Sequence, residues 1–369
     1  MPSTQPNAGT PASKAQASAA PLAGLPDLAG KFIALDRMRE LYQKMVSEGF
    51  HLPPREAVAG AALPHLLAEE VAALDASRCI LRSGNMSVLR LRGSESPLLL
   101  HEIGRLREIT FRQVGEGTGR KLDLDRFDDY YQHLLLWDEG RKAIAGAYRV
   151  GDTWEILATR GIEGLYTSTC FRYSPELFEK IGPALELGRS FVRPEYQKQH
   201  APLLLLWRAI AALVTRQPES AVLFGAVSIS NAYSQLSRTL IYKYFEARRN
   251  DDELAQWVRP RRPFRPMPLW WWDSRAMVGE LRDLEELSRP ISDIERDGKG
   301  LPVLLRQYAK VGGRLLGFNV DRAFSNTLDG LVLVDLRKSD SRVLDRYMGV
   351  EAAEKFRRAH GMAAAARQG

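Results

Sequence analysis

Glu186-Leu187-Gly188-Arg189-Ser190-Phe191-Val192-Arg193-Pro194 constrains this chain most. It is an apolar strand with an acid and a base three residues apart, stopped by a proline. A basic Gln/Lys/His loop follows, then the apolar helical run 203–214. Strand, loop, helix in that order is a building block of an α/β sheet, and it fixes where a helix N-terminus meets a strand end. A carboxylate within an apolar strand is costly unless partnered, so Glu186 stands apart from ordinary surface acids.

Residues 1–27 are rich in Ser, Ala, Pro, Gly and Gln and nearly free of large apolar side chains, which predicts a disordered tail. Residues 28–82 carry apolar side chains at helical spacing, broken at Pro53-Pro54, and are expected to form a helical N-terminal extension. From residue 83 the pattern becomes mixed. Strands are expected at 86–91, 142–150, 154–158, 164–171, 185–192, 221–228 and 330–336. Helices are expected at 98–114, 203–214 and 234–245. The main domain therefore spans 83–340, a central mixed sheet flanked by helices, and 341–369 forms a closing amphipathic helix and tail.

With 369 residues, 45% of them hydrophobic and 26% charged, the chain can bury one full core. Two cysteines, Cys79 and Cys170, supply neither a disulfide framework nor a metal site, and the six histidines lack paired ligand spacings. No metal is expected, and a cytoplasmic setting is. The longest apolar run, 202–214, is too short to span a bilayer and contains Arg208. A formal charge of +7 favours acidic partners: anionic lipid, an acidic carrier protein or nucleic acid. No nucleic-acid motif accompanies it.

Several acids and bases fall at strand ends and helix faces. Arg107 and Phe111 share a helix face, and Asp125 and Asp128 share another if their segment is helical. His133 precedes Leu134-Leu135-Leu136, and Arg149 sits late in a strand. For any one of these a solvated ion pair is an adequate reading. His133 also reads as a structural histidine.

Taken in order, these pieces resemble one branch of the GNAT acyltransferase superfamily. The matching residues are Leu106-Arg107-Glu108-Ile109-Thr110-Phe111, Leu124-Asp125-Arg126-Phe127-Asp128, His133-Leu134-Leu135, Gly146-Ala147-Tyr148-Arg149, Glu186-Leu187-Gly188-Arg189 and Val227-Ser228-Ile229-Ser230. Leu301-Pro302-Val303-Leu304-Leu305-Arg306-Gln307-Tyr308 and Asn319-Val320-Asp321-Arg322-Ala323-Phe324 are similar to the C-terminal signature of its lipid-forming members. That branch holds the ornithine-lipid and glycine-lipid N-acyltransferases, the hemolysin-like acyltransferases and, more distantly, the acyl-homoserine-lactone synthases.

The resemblance implies transfer of a long acyl chain, in this branch a 3-hydroxyacyl chain, to the α-amine of an amino acid. Ornithine is the first choice of acceptor and glycine the second. Glu186 is implied as base or amine holder, Phe191 or Val192 as oxyanion N–H donor, and Tyr242 as proton donor to the thiolate. Core packing is the commoner use of a tyrosine at such a place. Arg107, Phe111, Asp125, Asp128, His133, Arg149 and Arg189 are implied around the acceptor.

Coenzyme A-using members carry a glycine-rich pyrophosphate loop, whereas here Gln197-Lys198-Gln199-His200-Ala201-Pro202 has no glycine. An acyl-carrier protein, whose phosphopantetheine has one phosphodiester for Arg193, Gln197 and Lys198 to hold, is the expected donor and partner, with no cofactor retained. The lipid-acyltransferase His-x4-Asp motif is missing from the N-terminal part, since Glu56 follows His51 and Glu70 follows His65. One active site is expected. The Arg259–Arg265 basic segment and Trp270-Trp271-Trp272 suit peripheral contact with an anionic membrane, or a Pro-rich loop packing its tryptophans. A non-catalytic relative that binds acyl-carrier protein or lipid is the alternative from another class.

Overall fold

Period-two burial builds the sheet. In Gln132–Asp138, Leu134 and Leu136 enter the largest hydrophobic cluster, while Leu135 and Trp137 enter another on the opposite face. The computed structural model describes residues 55–199, 201–249, 252–268 and 283–362. The expected tail, the first half of the helical extension and Trp270-Trp271-Trp272 lie outside them. The described chain falls within one compact unit.

In chain order the elements are α1 (Pro64–Ala72), β1 (Cys79–Ser83), β2 (Met86–Arg92), α2 (Pro97–Gln113), β3 (Gln132–Asp138), β4 (Ala143–Asp152), α3 (Thr153–Arg160), β5 (Phe171–Tyr173), α4 (Pro175–Ile181) and β6 (Ala184–Val192). Then follow α5 (Pro194–Gln197), α6 (Ala201–Arg216), β7 (Val222–Ile229), α7 (Gln235–Arg249), β8 (Val258–Pro260), α8 (Leu284–Ile294), α9 (Val303–Lys310), β9 (Arg314–Asp321), β10 (Thr327–Asp335), α10 (Ser341–Met348) and α11 (Val350–Ala359). Eight strands form one sheet in the order β1-β2-β3-β4-β6-β7-β10-β9, and β5 and β8 form a separate ribbon. All pairs are antiparallel except β6 with β7.

Helix α6 packs Leu206, Ile210 and Val214 on the face that carries Leu134, Tyr148, Leu185, Leu187 and Val227. Helix α2 covers the other face with Leu99, Ile103 and Leu106 against Leu135, Ala147 and Phe191. Its N-terminus has no side-chain cap of its own. Glu70 of α1 fills that role, accepting the N–H groups of Leu98 at 3.2 Å and Leu99 at 2.6 Å.

Two strand expectations are corrected, and the condition that 125–136 be helical is not met. Residues 154–158 are helical, because Asp152 accepts the N–H of Trp154 at 2.9 Å and starts α3, which Gly161 ends at φ +63°. Residues 164–170 form tight turns before β5, in which the Tyr166 and Thr167 N–H groups donate to the Glu186 carboxylate and those of Gly164, Leu165, Ser168 and Cys170 to local carbonyls, not to a neighbouring strand. Residues 125–136 are one 3-10 turn and then β3. Asp125 accepts from Phe127 N–H while Asp128 accepts from Asp125 N–H, a reciprocal cap that closes after one turn. The closing helix is divided at Gly349, which has φ +83°.

Candidate active site

The site is set by a break in the sheet. Pairing between β6 and β7 covers only Ala184 to Glu186 against Val222 to Phe224. Beyond that, β6 follows β4 as far as Val192 and β7 follows β10 as far as Ile229, so the two strands part. A Cβ on Gly225 would stand 2.0 Å from the Leu187 carbonyl oxygen, so only glycine permits the approach at which the strands separate.

Within the opening β6 carries a bulge. Arg149 pairs with Gly188 and Ala147 with Phe191, so three steps on β6 match two on β4. The extra residue sits at Arg189, φ +48°. It resets the alternation: Glu186 and Phe191, five residues apart, both face the α2 side.

On that side Arg107 is fully buried. Its Nη1 lies 2.8 Å from Asp128 Oδ1 and its Nη2 3.2 Å from His133 Nδ1. Asp128 Oδ1 is also 3.2 Å from Arg149 Nη1, which reaches Asp125 Oδ1 at 2.6 Å. Arg189 Nε lies 3.3 Å from Asp123 Oδ2, and its Nη2 lies 3.9 Å from Asp125 Oδ2. Aromatic faces complete the setting: Tyr166 is 4.8 Å from the Arg149 guanidinium and 4.9 Å from that of Arg189, and Phe324 is 4.5 Å from Arg189. Phe111 borders the site through an edge contact to Phe324 at 5.1 Å.

Burial opposes the charge on Asp128, yet Arg107 and Arg149 hold its carboxyl well below the usual range. Burial likewise opposes the charge on Arg149, and Asp128 and Asp125 more than offset it. Asp123 goes the other way, pushed up by burial despite Arg189.

Glu186 is 1% exposed and fully engaged. Its carboxylate accepts the Tyr131 hydroxyl, the Tyr166 N–H at 3.1 Å and the Thr167 N–H at 2.6 Å. Burial raises its pKa, against these donors. The carboxylate is thus the acceptor that ties the 3-10 turn Tyr166–Thr169 and Tyr131 to the sheet.

A GNAT acetyltransferase domain model matches residues 106–207, the span from α2 to α6. The glycine N(alpha)-acyltransferase of Phocaeicola vulgatus is 33% identical over 68% of this chain and 80% of its own length. The chain belongs to the GNAT acyltransferase family. The glycine N(alpha)-acyltransferase of Bacteroides thetaiotaomicron is 29% identical over 70% of this chain and 80% of its own. The L-ornithine N(alpha)-acyltransferase of Brucella abortus is 25% identical over 73% and 92%.

In this GNAT acyltransferase Arg193 N–H donates to Ala145 C=O at 2.9 Å, and Gln197 Nε2 donates to Val192 C=O at 2.8 Å. Successive strand residues alternate sides, so Val192 turns its N–H away from β4 and towards the opening. Phe191 is corrected as an oxyanion donor, because the same alternation turns its N–H to β4. Tyr242 is corrected as well: its ring packs between Phe264 and Phe318, each at 5.4 Å, which is the core use of a tyrosine. Arg193 is held by the Ile144 carbonyl at 3.4 Å and by Glu195 at 3.1 Å, whereas Lys198 stands exposed.

The structure brings Arg107, Asp125, Asp128, His133, Arg149 and Arg189 together. It adds Asp123, Tyr131, Tyr166, Thr167 and Phe324, which no spacing singled out, and a neighbouring group of Cys170, Asp321 and Asp329. The polar atoms of that group lie within 4.8 Å of one another. Burial and then Asp329 push the Cys170 thiol up, and its Sγ donates to Asp321 at 3.9 Å and to Asp329 at 3.7 Å.

Proposed function

We propose that this acyltransferase moves a long acyl chain, 3-hydroxyacyl by its family resemblance, from acyl-carrier protein to the α-amine of an amino acid. The observation that carries the reading is the opening between β6 and β7 beside a mixed-charge cluster. A thioester arm laid in the opening would bring its carbonyl to the N–H of Val192, an oxyanion donor fixed by the strand. A zwitterionic amino acid suits the cluster side, since Arg189 is there for its carboxylate and several carboxylates for its ammonium. Glu186 acts in this reading as a positioning residue, holding Tyr131 and Tyr166 where they frame Arg149 and Arg189.

Glycine stands ahead of ornithine as acceptor, because relatives named for glycine share 29% and 33% of matched residues against 24–28% for relatives named for ornithine. One observation favours ornithine: the buried Asp321 and Asp329 are more carboxylate than a single α-ammonium needs. Acyl-carrier protein is favoured over coenzyme A as donor by the glycine-free loop at 197–202 and the formal charge of +7, which complements an acidic carrier.

Peripheral contact with an anionic membrane is supported by Arg172 and Arg259, exposed and directly opposite each other on β5 and β8. Among the described residues no helix is long and apolar enough to cross a membrane. Mass spectrometry of lipids from cells expressing the protein, fed labelled glycine or labelled ornithine, tests acceptor and reaction together. A new N-acyl amino acid carrying one label names the acceptor, and its absence with both labels defeats the reading.

A further inference from the structure

An acceptor ammonium must give up a proton before its nitrogen can attack a thioester. Both Glu186 oxygens are already occupied by Tyr131, Tyr166 and Thr167. Asp329 accepts from Thr327 at 3.1 Å, and Asp321 accepts the Ala323 N–H at 2.9 Å. Glu116 differs. It sits between Gly115 at φ +75° and Gly117 at φ +99°, in the turn that leaves α2.

That turn is pinned on every side. Ser230 Oγ donates to the Val114 carbonyl, Ser325 Oγ donates to the Gly117 carbonyl at 2.9 Å, and Glu108 accepts the N–H groups of Thr118 at 3.0 Å and Gly119 at 2.8 Å. The Glu116 N–H itself donates to the Phe111 carbonyl at 2.8 Å. Its carboxylate has no hydrogen bond or ion pair among the described residues, although the residue is half-buried.

The groups facing it are Asp329 on β10 and Arg189 on β6, with Tyr233 ahead of α7 also within its field. A rigidly framed carboxylate without a bonded partner among the described residues, within the field of the arginine proposed for the acceptor carboxylate, suits a proton acceptor. Burial and then Asp329 push its carboxyl up to about 8, against Arg189, which suits the task at neutral pH.

We propose that Glu116 is the general base of the transfer, an inference that rests on the amine-acylation reading above. Its carboxylate takes one proton from the acceptor ammonium. The freed lone pair attacks the thioester carbonyl carbon. The C–S bond then breaks, its electron pair leaves on sulfur, and a second N–H proton neutralises the thiolate as the amide forms. Glu116 returns its proton to solvent, so one proton is released per turnover.

The test is acceptor steady-state kinetics from pH 6 to 10 on the full chain, with glycine or ornithine and an acyl-carrier thioester, for wild type, Glu116→Gln and Glu116→Asp. The expected results are a wild-type kcat/KM that rises with pH through about 8, and a roughly 100- to 1,000-fold lower kcat in Glu116→Gln with acceptor KM changed by less than about threefold. The Glu116→Asp variant keeps part of the activity. An unchanged kcat and unchanged pH limb in Glu116→Gln, or in Glu116→Asp if the first variant fails to fold, overturns the role of Glu116 alone. Wild type that forms no N-acyl amino acid overturns the reaction itself, and this role with it.

Discussion

Arg107 Nη2 lies 3.2 Å from His133 Nδ1, and a guanidinium can only donate, so His133 presents a lone pair on that nitrogen. Its proton is therefore on Nε2, which lies 3.7 Å from Asp128 Oδ1 and makes no hydrogen bond among the described residues. Burial and then Arg107 push the imidazole down to about 3. Nitrogen-15 NMR should find His133 neutral, with the Nε2–H tautomer, throughout pH 5 to 9. An imidazolium at pH 6 would contradict the arrangement.

Glu186→Ala leaves a tyrosine hydroxyl and two backbone N–H groups without their acceptor. It should cost about 3 kcal/mol of stability, and Glu186→Gln, which keeps one carbonyl oxygen, about 1–2 kcal/mol. Denaturant midpoints check the order. A positioning role also requires that Glu186→Gln retain more kcat than Glu116→Gln.

Much of the sheet was legible because β2, β4, β6, β7 and β10 are short apolar runs bounded by turn residues, and α2 and α6 have apolar stripes at helical spacing. Residues 164–170 were misread because the Tyr166 and Thr167 N–H groups are taken by the Glu186 side chain, a tertiary contact that no local pattern reports. The β6 bulge was invisible for a related reason: it exists only relative to β4. Most residues of the ion cluster were legible through resemblance. Asp123 and Glu116 were not, since each lies in an irregular segment where the chain's path, not its spacing, aims the side chain. The one local hint for Glu116 was its pair of flanking glycines.

Stability should fall as the solution becomes alkaline. Burial and then Asp321 push Asp329 up to about 7, and Glu116 stands at about 8, while in the unfolded chain both titrate near 4. The folded state therefore holds protons that the unfolded state has lost, and stability declines from about pH 4 to about pH 8. The Asp329 share of that decline is of order 2–4 kcal/mol. Thermal melts should show a lower Tm at pH 8.5 than at pH 5.5, with a smaller difference in Asp329→Asn. An equal difference in the variant would remove Asp329 as the cause.

Gly225→Ala places a methyl 2.0 Å from the Leu187 carbonyl oxygen; the Cβ is fixed to its own backbone and the oxygen is backbone, so no side-chain rotation relieves the contact. The strands must shift at the place where they part. We expect a stability cost of about 1–3 kcal/mol and a fall in transfer rate of more than about tenfold, since near-attack geometry is sensitive to small displacements. A variant with wild-type rate would show that the opening is not the donor slot.

The central claim is amide formation from a carrier-bound thioester. The most direct test incubates the purified chain with a 3-hydroxyacyl-carrier protein and nitrogen-15 glycine or ornithine, and follows both products by mass spectrometry. The account predicts an N-acyl amino acid carrying the label and an equal amount of carrier returned as the free phosphopantetheine thiol. Intact acyl-carrier protein after incubation with either amino acid, or an acyl group recovered on an oxygen, would contradict it.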